Sequence, residues 1–139
     1  MTSELRVDNL KGSTTGGSIN VLGEGTSNTT NLQQGLTKVF CNFNGTGTIA
    51  TRDSFNEASL TDSAKGVHRI NLTNAMNSAS YVTNVDANYI DDSDGTGTVC
   101  NPDRGNNTTT VVYIETRNAA GTADADREHI LVAVHGDLA

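Results

Sequence analysis

The sequence predicts an all-β protein: an extended N-terminal arm followed by an antiparallel β-sandwich of jelly-roll-like type. Three observations carry that expectation. From Thr37 onward apolar residues recur with a period of two, the repeat of a strand with one face buried. Thr, Asn, Ser and Gly make up roughly two-fifths of the chain, well above ordinary usage, and they favour strands and turns over helices. Ahead of Thr30, by contrast, apolar residues are sparse and small polar residues dominate. The chain of 139 residues is long enough for one domain and an arm.

In chain order, residues 5–10 (LRVDNL) form a short strand-like run with Leu5 and Val7 on one face and Leu10 closing it. The KGSTTGG run that follows is a turn or link. A second strand-like piece, SINVL, sets Ile19 and Val21 against Asn20 and ends at Leu22. Neither piece has enough apolar surface to stand alone. Both would present unpaired backbone groups, so the arm is expected to add β-structure to a partner or a neighbouring subunit. The alternative is that it folds back on its own domain. Next, Thr30 or Asn31 can cap one helical turn, with Leu32 and Leu36 at i and i+4 and Gly35 placed to end it. The predicted division is therefore an arm and joint over residues 1–36 and a β body over residues 37–139. The side chains expected to anchor the arm are Leu5, Val7, Leu10, Ile19, Val21, Leu22, Leu32 and Leu36.

The body opens with residues 37–43, where Val39, Cys41 and Phe43 share one face and Lys38, Phe40 and Asn42 the other. Asn44-Gly45 is a strong tight-hairpin signal, with a return strand over residues 46–52 and a crossing over residues 53–56. A weak strand over residues 58–61 and a DSAKG turn precede VHRINLT, in which His68, Ile70 and Leu72 share a face. Residues 80–87 alternate Tyr81, Thr83 and Val85 against Val82, Asn84 and Asp86. A long loop is expected over residues 88–107. TTTVVYIETR is the most convincing strand, and HILVAVH closes the body with Ile130, Val132 and Val134 on one side.

Composition narrows the function. The net charge of -7, with nine Lys and Arg scattered along the chain, argues against a nucleic-acid partner. No apolar run approaches membrane-spanning length, and the start MTSELRVDNL has no apolar signal region, so synthesis in a cytoplasm is expected. Cys41 and Cys100 stand in no metal spacing. Cys41 reads as a buried free thiol, with a Cys41–Cys100 disulfide the less favoured alternative. Asp91, Asp92 and Asp94 resemble a hard-cation loop, but Ile90 occupies the first ligand position of the helix-loop-helix calcium pattern and no Glu closes it, so a solvated loop is favoured. His129 and His135 would share a strand face about 20 Å apart, too far to ligate one ion in one subunit. No nucleophile elbow, phosphate loop or dinucleotide fingerprint is present. The expectation is a protein without cofactor, metal or catalytic residues.

The segments ELRVDNLKGSTTGGSINVLGEG and TNLQQGLTKVFCNFNGTGTIATRDSFN, with the ending HGDLA, resemble small virion structural proteins of tailed phages that infect marine bacteria. The second segment is the most specific. Many members of that group carry a Trp near the position of Phe40, which this chain lacks. The resemblance implies a non-enzymatic particle component, made in the host cytoplasm, released by lysis and located in the virion. Its expected partners are the major capsid protein or another virion protein and further copies of itself in a homotrimer, without nucleic acid or membrane. A capsid decoration or short head-fibre protein is the favoured role. A tail-fibre or adhesin tip that binds a host-surface glycan or protein is the alternative.

Overall fold

The computed structural model of the protein describes residues 4–16, 19–22, 28–88, 99–102, 105–118 and 120–139. Contacts divide the chain into two compact units, Met1–Leu36 and Thr37–Ala139. The second is an all-β sandwich.

In the first unit, β1 (Asn20–Leu22) and β2 (Thr29–Asn31) pair antiparallel, with Val21 opposite Thr30. The expected lone strand at Ile19–Leu22 therefore finds a partner a few residues on. Helix α1 (Leu32–Gly35) follows directly. Its first amides would have no intrahelical acceptor. Asn31 supplies one: its Oδ1 accepts from the Gln33 amide at 2.9 Å and the Gln34 amide at 3.3 Å. The expected strand over residues 5–10 does not form. Arg6 pairs with Glu4 at 2.7 Å across the run, and three apolar side chains do not supply the burial a strand needs.

Among the described residues, the second unit holds eight strands in two four-stranded sheets. The first sheet contains β3 (Val39–Asn44), β4 (Ala50–Phe55), β7 (Val82–Asn88) and β10 (His129–His135), in the order β4-β3-β10-β7. The second contains β5 (Glu57–Ala64), β6 (Val67–Leu72), β8 (Val99–Pro102) and β9 (Val111–Arg117), in the order β5-β6-β9-β8. Every pairing is antiparallel, and the first strand of the body pairs with the last, β3 with β10. The hairpins β3–β4, β5–β6 and β8–β9 each stay within one sheet.

The two-residue period builds the core. Val39, Cys41 and Phe43 of β3 and Ile130, Val132 and Val134 of β10 face inward from the first sheet. His68, Ile70 and Leu72 of β6 and Val112, Ile114 and Thr116 of β9 face them from the second. Met76 and Tyr81 are buried at one end. The Tyr81 hydroxyl lies 2.8 Å from the Val111 carbonyl and 3.1 Å from that of Thr108, so it tethers the approach to β7 to the start of β9. Burial pushes its pKa up to about 12.

The body departs from expectation at several points. Asn44-Gly45 does not make a two-residue turn; β4 begins only at Ala50, and the positive φ falls at Gly47. Asn44 instead folds its own loop, its Oδ1 accepting from the Thr46 amide at 3.1 Å. Gly45 is needed for another reason: a Cβ there would press on Ile130, on the Arg127 carbonyl and on His68. The crossing between sheets is not a four-residue stretch but Asn56 alone, at φ 62. Asn tolerates that region because its side chain can bond nearby backbone; here Oδ1 takes the Asn74 amide at 2.7 Å. The long loop expected over residues 88–107 contains a strand, β8, with Cys100 and Asn101 in it. Pro102 has no N–H to donate, which suits an edge strand. Finally, Lys38 is buried although it shares the outward phase of Phe40.

Candidate functional site

The expected anchoring residues fall into two groups, with Leu36 standing apart from both. Ile19, Val21, Leu22 and Leu32 come together in the hairpin and helix, with the Leu32 amide donating to the Ile19 carbonyl at 2.7 Å. Leu5, Val7 and Leu10 lie in the segment without strand or helix. Leu36 is the C-cap of α1. None of the described residues from 4 to 36 is buried. Leu5 is 76% exposed, and Val7, Leu10, Val21, Leu22 and Leu36 are exposed as well. These six aliphatic side chains all face solvent.

The body carries a second apolar surface, one that the sequence reading passed over. On the outward face of the first sheet, cross-strand register places Phe55, Phe40, Ala133 and Asn84 in one row. Asp53, Asn42, Leu131 and Asp86 form the next. Phe40, Phe55 and Leu131 are all exposed. The two rings stack with centroids 6.3 Å apart and planes 22° from parallel. Because Ala133 is short, a shallow groove of about 380 Å³ opens over it, walled by Phe40 and Asn42 on β3 and by Asn84 and Asp86 on β7. The Asn42 Oδ1 is buried with no hydrogen-bond partner among the described residues. A signal was present in the sequence: Phe40 and Leu131 stand in the polar phase of their strands.

The outward face of the second sheet is different in kind. Arg69 lies over the Tyr113 ring at 4.9 Å, and Asn71 Nδ2 donates to the Ser59 carbonyl and to the Ser59 and Thr61 hydroxyls at 3.0–3.2 Å. Arg117 pairs with Asp124 at 3.2 Å. Several polar side chains find partners there, as on other solvent-facing antiparallel surfaces, although the Arg69 Nε is buried without a hydrogen-bond partner among the described residues.

Among the described residues no three His, Cys, Asp or Glu side chains converge as metal ligands would. The Asp91–Asp94 run lies outside the described residues. His129 and His135 sit at opposite ends of β10. Cys41 and Cys100 are both free thiols. Burial, with Glu57 adding, pushes Cys41 up to about 12, so it is a thiol and not a nucleophilic thiolate. His68 is fully buried, edge-on to Phe43 at 5.6 Å, and neither ring nitrogen has a hydrogen-bond partner among the described residues. Loss of hydration lowers its pKa; Asp126 and Asp62 oppose that shift in part. No helix among the described residues is long and apolar enough to cross a membrane.

Comparison of the chain with protein-family models, with curated proteins and with solved structures finds no match in any of the three.

Proposed function

We propose that the chain is a non-enzymatic structural protein of a phage particle, attached through its N-terminal unit. One observation carries the reading: none of the described residues of that unit is fully buried, while Leu5, Val7, Leu10, Val21, Leu22 and Leu36 stand exposed. Apolar surface of this kind is stabilised by about 25 cal/mol per Å² when a partner covers it. The β-sandwich, with its own buried core, then serves as the displayed body. The resemblance to small virion proteins, which runs from Glu4 to about Val85 and returns at the C-terminal HGDLA, supports placement on a particle, as a homotrimeric decoration or short head-fibre protein. A second reading, an adhesin tip on a tail fibre, is favoured by the open apolar face of the first sheet.

The test uses the full chain with Leu5, Val7 and Leu10 all changed to Ser. Copies per purified particle are measured by quantitative densitometry against the major capsid protein. The unaltered chain is expected in copies that scale with the shell, and the triple variant is expected to be lost from particles while its circular dichroism stays unchanged. Normal incorporation of the variant rejects the anchor. A copy number of only a few per particle rejects the capsid placement in favour of the tail.

A further inference from the structure

We infer that the outward face of the first sheet docks a cationic segment of a partner protein, one that carries an apolar anchor side chain between basic residues. The inference stands on the body alone and does not require the attachment role proposed above. Three features of the two cross-strand rows point to such an occupant. The first is the groove over Ala133, bounded by Phe40 and open to solvent, which accepts a Leu- or Phe-sized side chain. The second is charge. Within the two rows the ionisable side chains are Asp53 and Asp86, both exposed and both acidic. They sit on β4 and β7 at the two ends of the Asp53–Asn42–Leu131–Asp86 row, about 14 Å apart by the spacing of strands. The third is the stacked pair of Phe40 and Phe55, whose ring faces attract a guanidinium or ammonium group. Phe55 lies two residues from Asp53 on the same face, so one cation can meet a ring and a carboxylate together.

The charge pattern also decides between occupants. A second copy of the chain would bring Asp53 and Asp86 against another acidic surface on a protein of net charge -7. An anionic ligand meets the same repulsion. A neutral glycan can donate hydroxyl hydrogen bonds to the carboxylates but has no charge to match theirs. A basic segment gains from the carboxylates, the rings and the groove at once.

The test is titration calorimetry of the full chain with a synthetic peptide of alternating Arg and Leu. Two control peptides replace Arg with Glu or Leu with Ser. The Arg/Leu peptide is expected to bind, and each control is expected to bind about tenfold more weakly or not at all. Leu131→Ser and Phe40→Ser should each weaken binding by about tenfold, since both side chains border the groove. The pair Asp53→Asn with Asp86→Asn, at surface positions that leave the core untouched, should weaken binding and flatten its dependence on salt. Equal binding of the Glu/Leu peptide overturns the inference, as does unchanged binding by Leu131→Ser and by the double Asn variant. So does a dimer seen by sedimentation that Leu131→Ser dissolves, because the occupant is then a second copy. Binding of a neutral oligosaccharide on this face, with the Arg/Leu peptide silent, overturns it too.

Discussion

The N-terminal unit holds fewer apolar side chains than the body, and the two use them in opposite ways. In the body, Val39, Phe43, Ile70, Val112, Ile114, Ile130 and Val134 have no exposed surface at all. In the N-terminal unit, Leu5, Val7, Leu10, Leu22 and Leu36 are each more than half exposed. The difference lies in pairing. Each central strand of the body has a neighbour on both sides and a facing sheet, so one alternating face is sealed. The hairpin β1–β2 has neither a third strand nor a facing sheet within its own unit. A two-stranded hairpin in that state is marginal in water. Stability therefore resides in the body, and it is to the exposed apolar side chains of the N-terminal unit that the proposal assigns attachment.

The largest expected effect separates the two units by mutation. Phe43→Ala removes a fully buried ring between the sheets and should cost about 3–5 kcal/mol in urea unfolding. Replacing Leu5, Val7 and Leu10 by Ser should change the same transition by less than about 0.5 kcal/mol per site. A large loss from the triple change would mean that these side chains are part of a core.

Two glycines sharpen the contrast. Gly66 turns β5 into β6 at φ +69, and a Cβ there would press on the Thr116 carbonyl oxygen and the Ala125 amide. The Gly66 amide also donates to Asp126 Oδ1 at 2.6 Å. Gly66→Ala should lower stability by about 1–3 kcal/mol. Gly35, at the end of α1, has nothing within 4 Å of a built Cβ. Gly35→Ala should be neutral or stabilise by a few tenths of a kcal/mol (about 0.5 at most). Thermal melting of the two single variants compares them directly.

A smaller effect distinguishes the body by pH. Burial lowers the His68 pKa below its ordinary 6.5. As pH falls through that value, the unfolded chain takes up a proton before the folded one does. The stability associated with neutral, buried His68 is complete above about 6.5 and declines below it, down through the folded value. Urea midpoints measured across that range should fall with pH, and His68→Gln should flatten the slope. An unchanged slope in the variant would assign the acid sensitivity to other groups.

Much of the body could be read from residue order because its inward positions are chemically clean. Val39-Phe40-Cys41-Asn42-Phe43 and His129 through His135 alternate without a break, and the buried faces fall on the residues the period selects. The Asn31 cap was likewise legible, since a short acceptor before Leu32-Gln33-Gln34 has one obvious use. Other features depend on contacts between distant segments. Strand β8 is four residues long, ends in Pro and gains its pairing from β9, so no local pattern announces it. The loop after Asn44 is set by the crowding of Gly45 against Ile130 and His68, residues far along the chain. The apolar outer face arises because Phe40, Phe55, Ala133 and Leu131 come from three strands that only register brings together. The same holds for the hairpin β1–β2: it pairs the segment that had seemed to need another chain, while leaving the aliphatic side chains around it uncovered.

The most direct measurement is amide hydrogen exchange on the isolated full-length chain. Amides of β10, between β3 and β7, should exchange only through global unfolding, while those of β1, β2 and α1 should exchange orders of magnitude faster. Protection of residues 19–36 equal to that of β10 would contradict the account, because that segment would then belong to a stable core of its own chain and have no need of a partner.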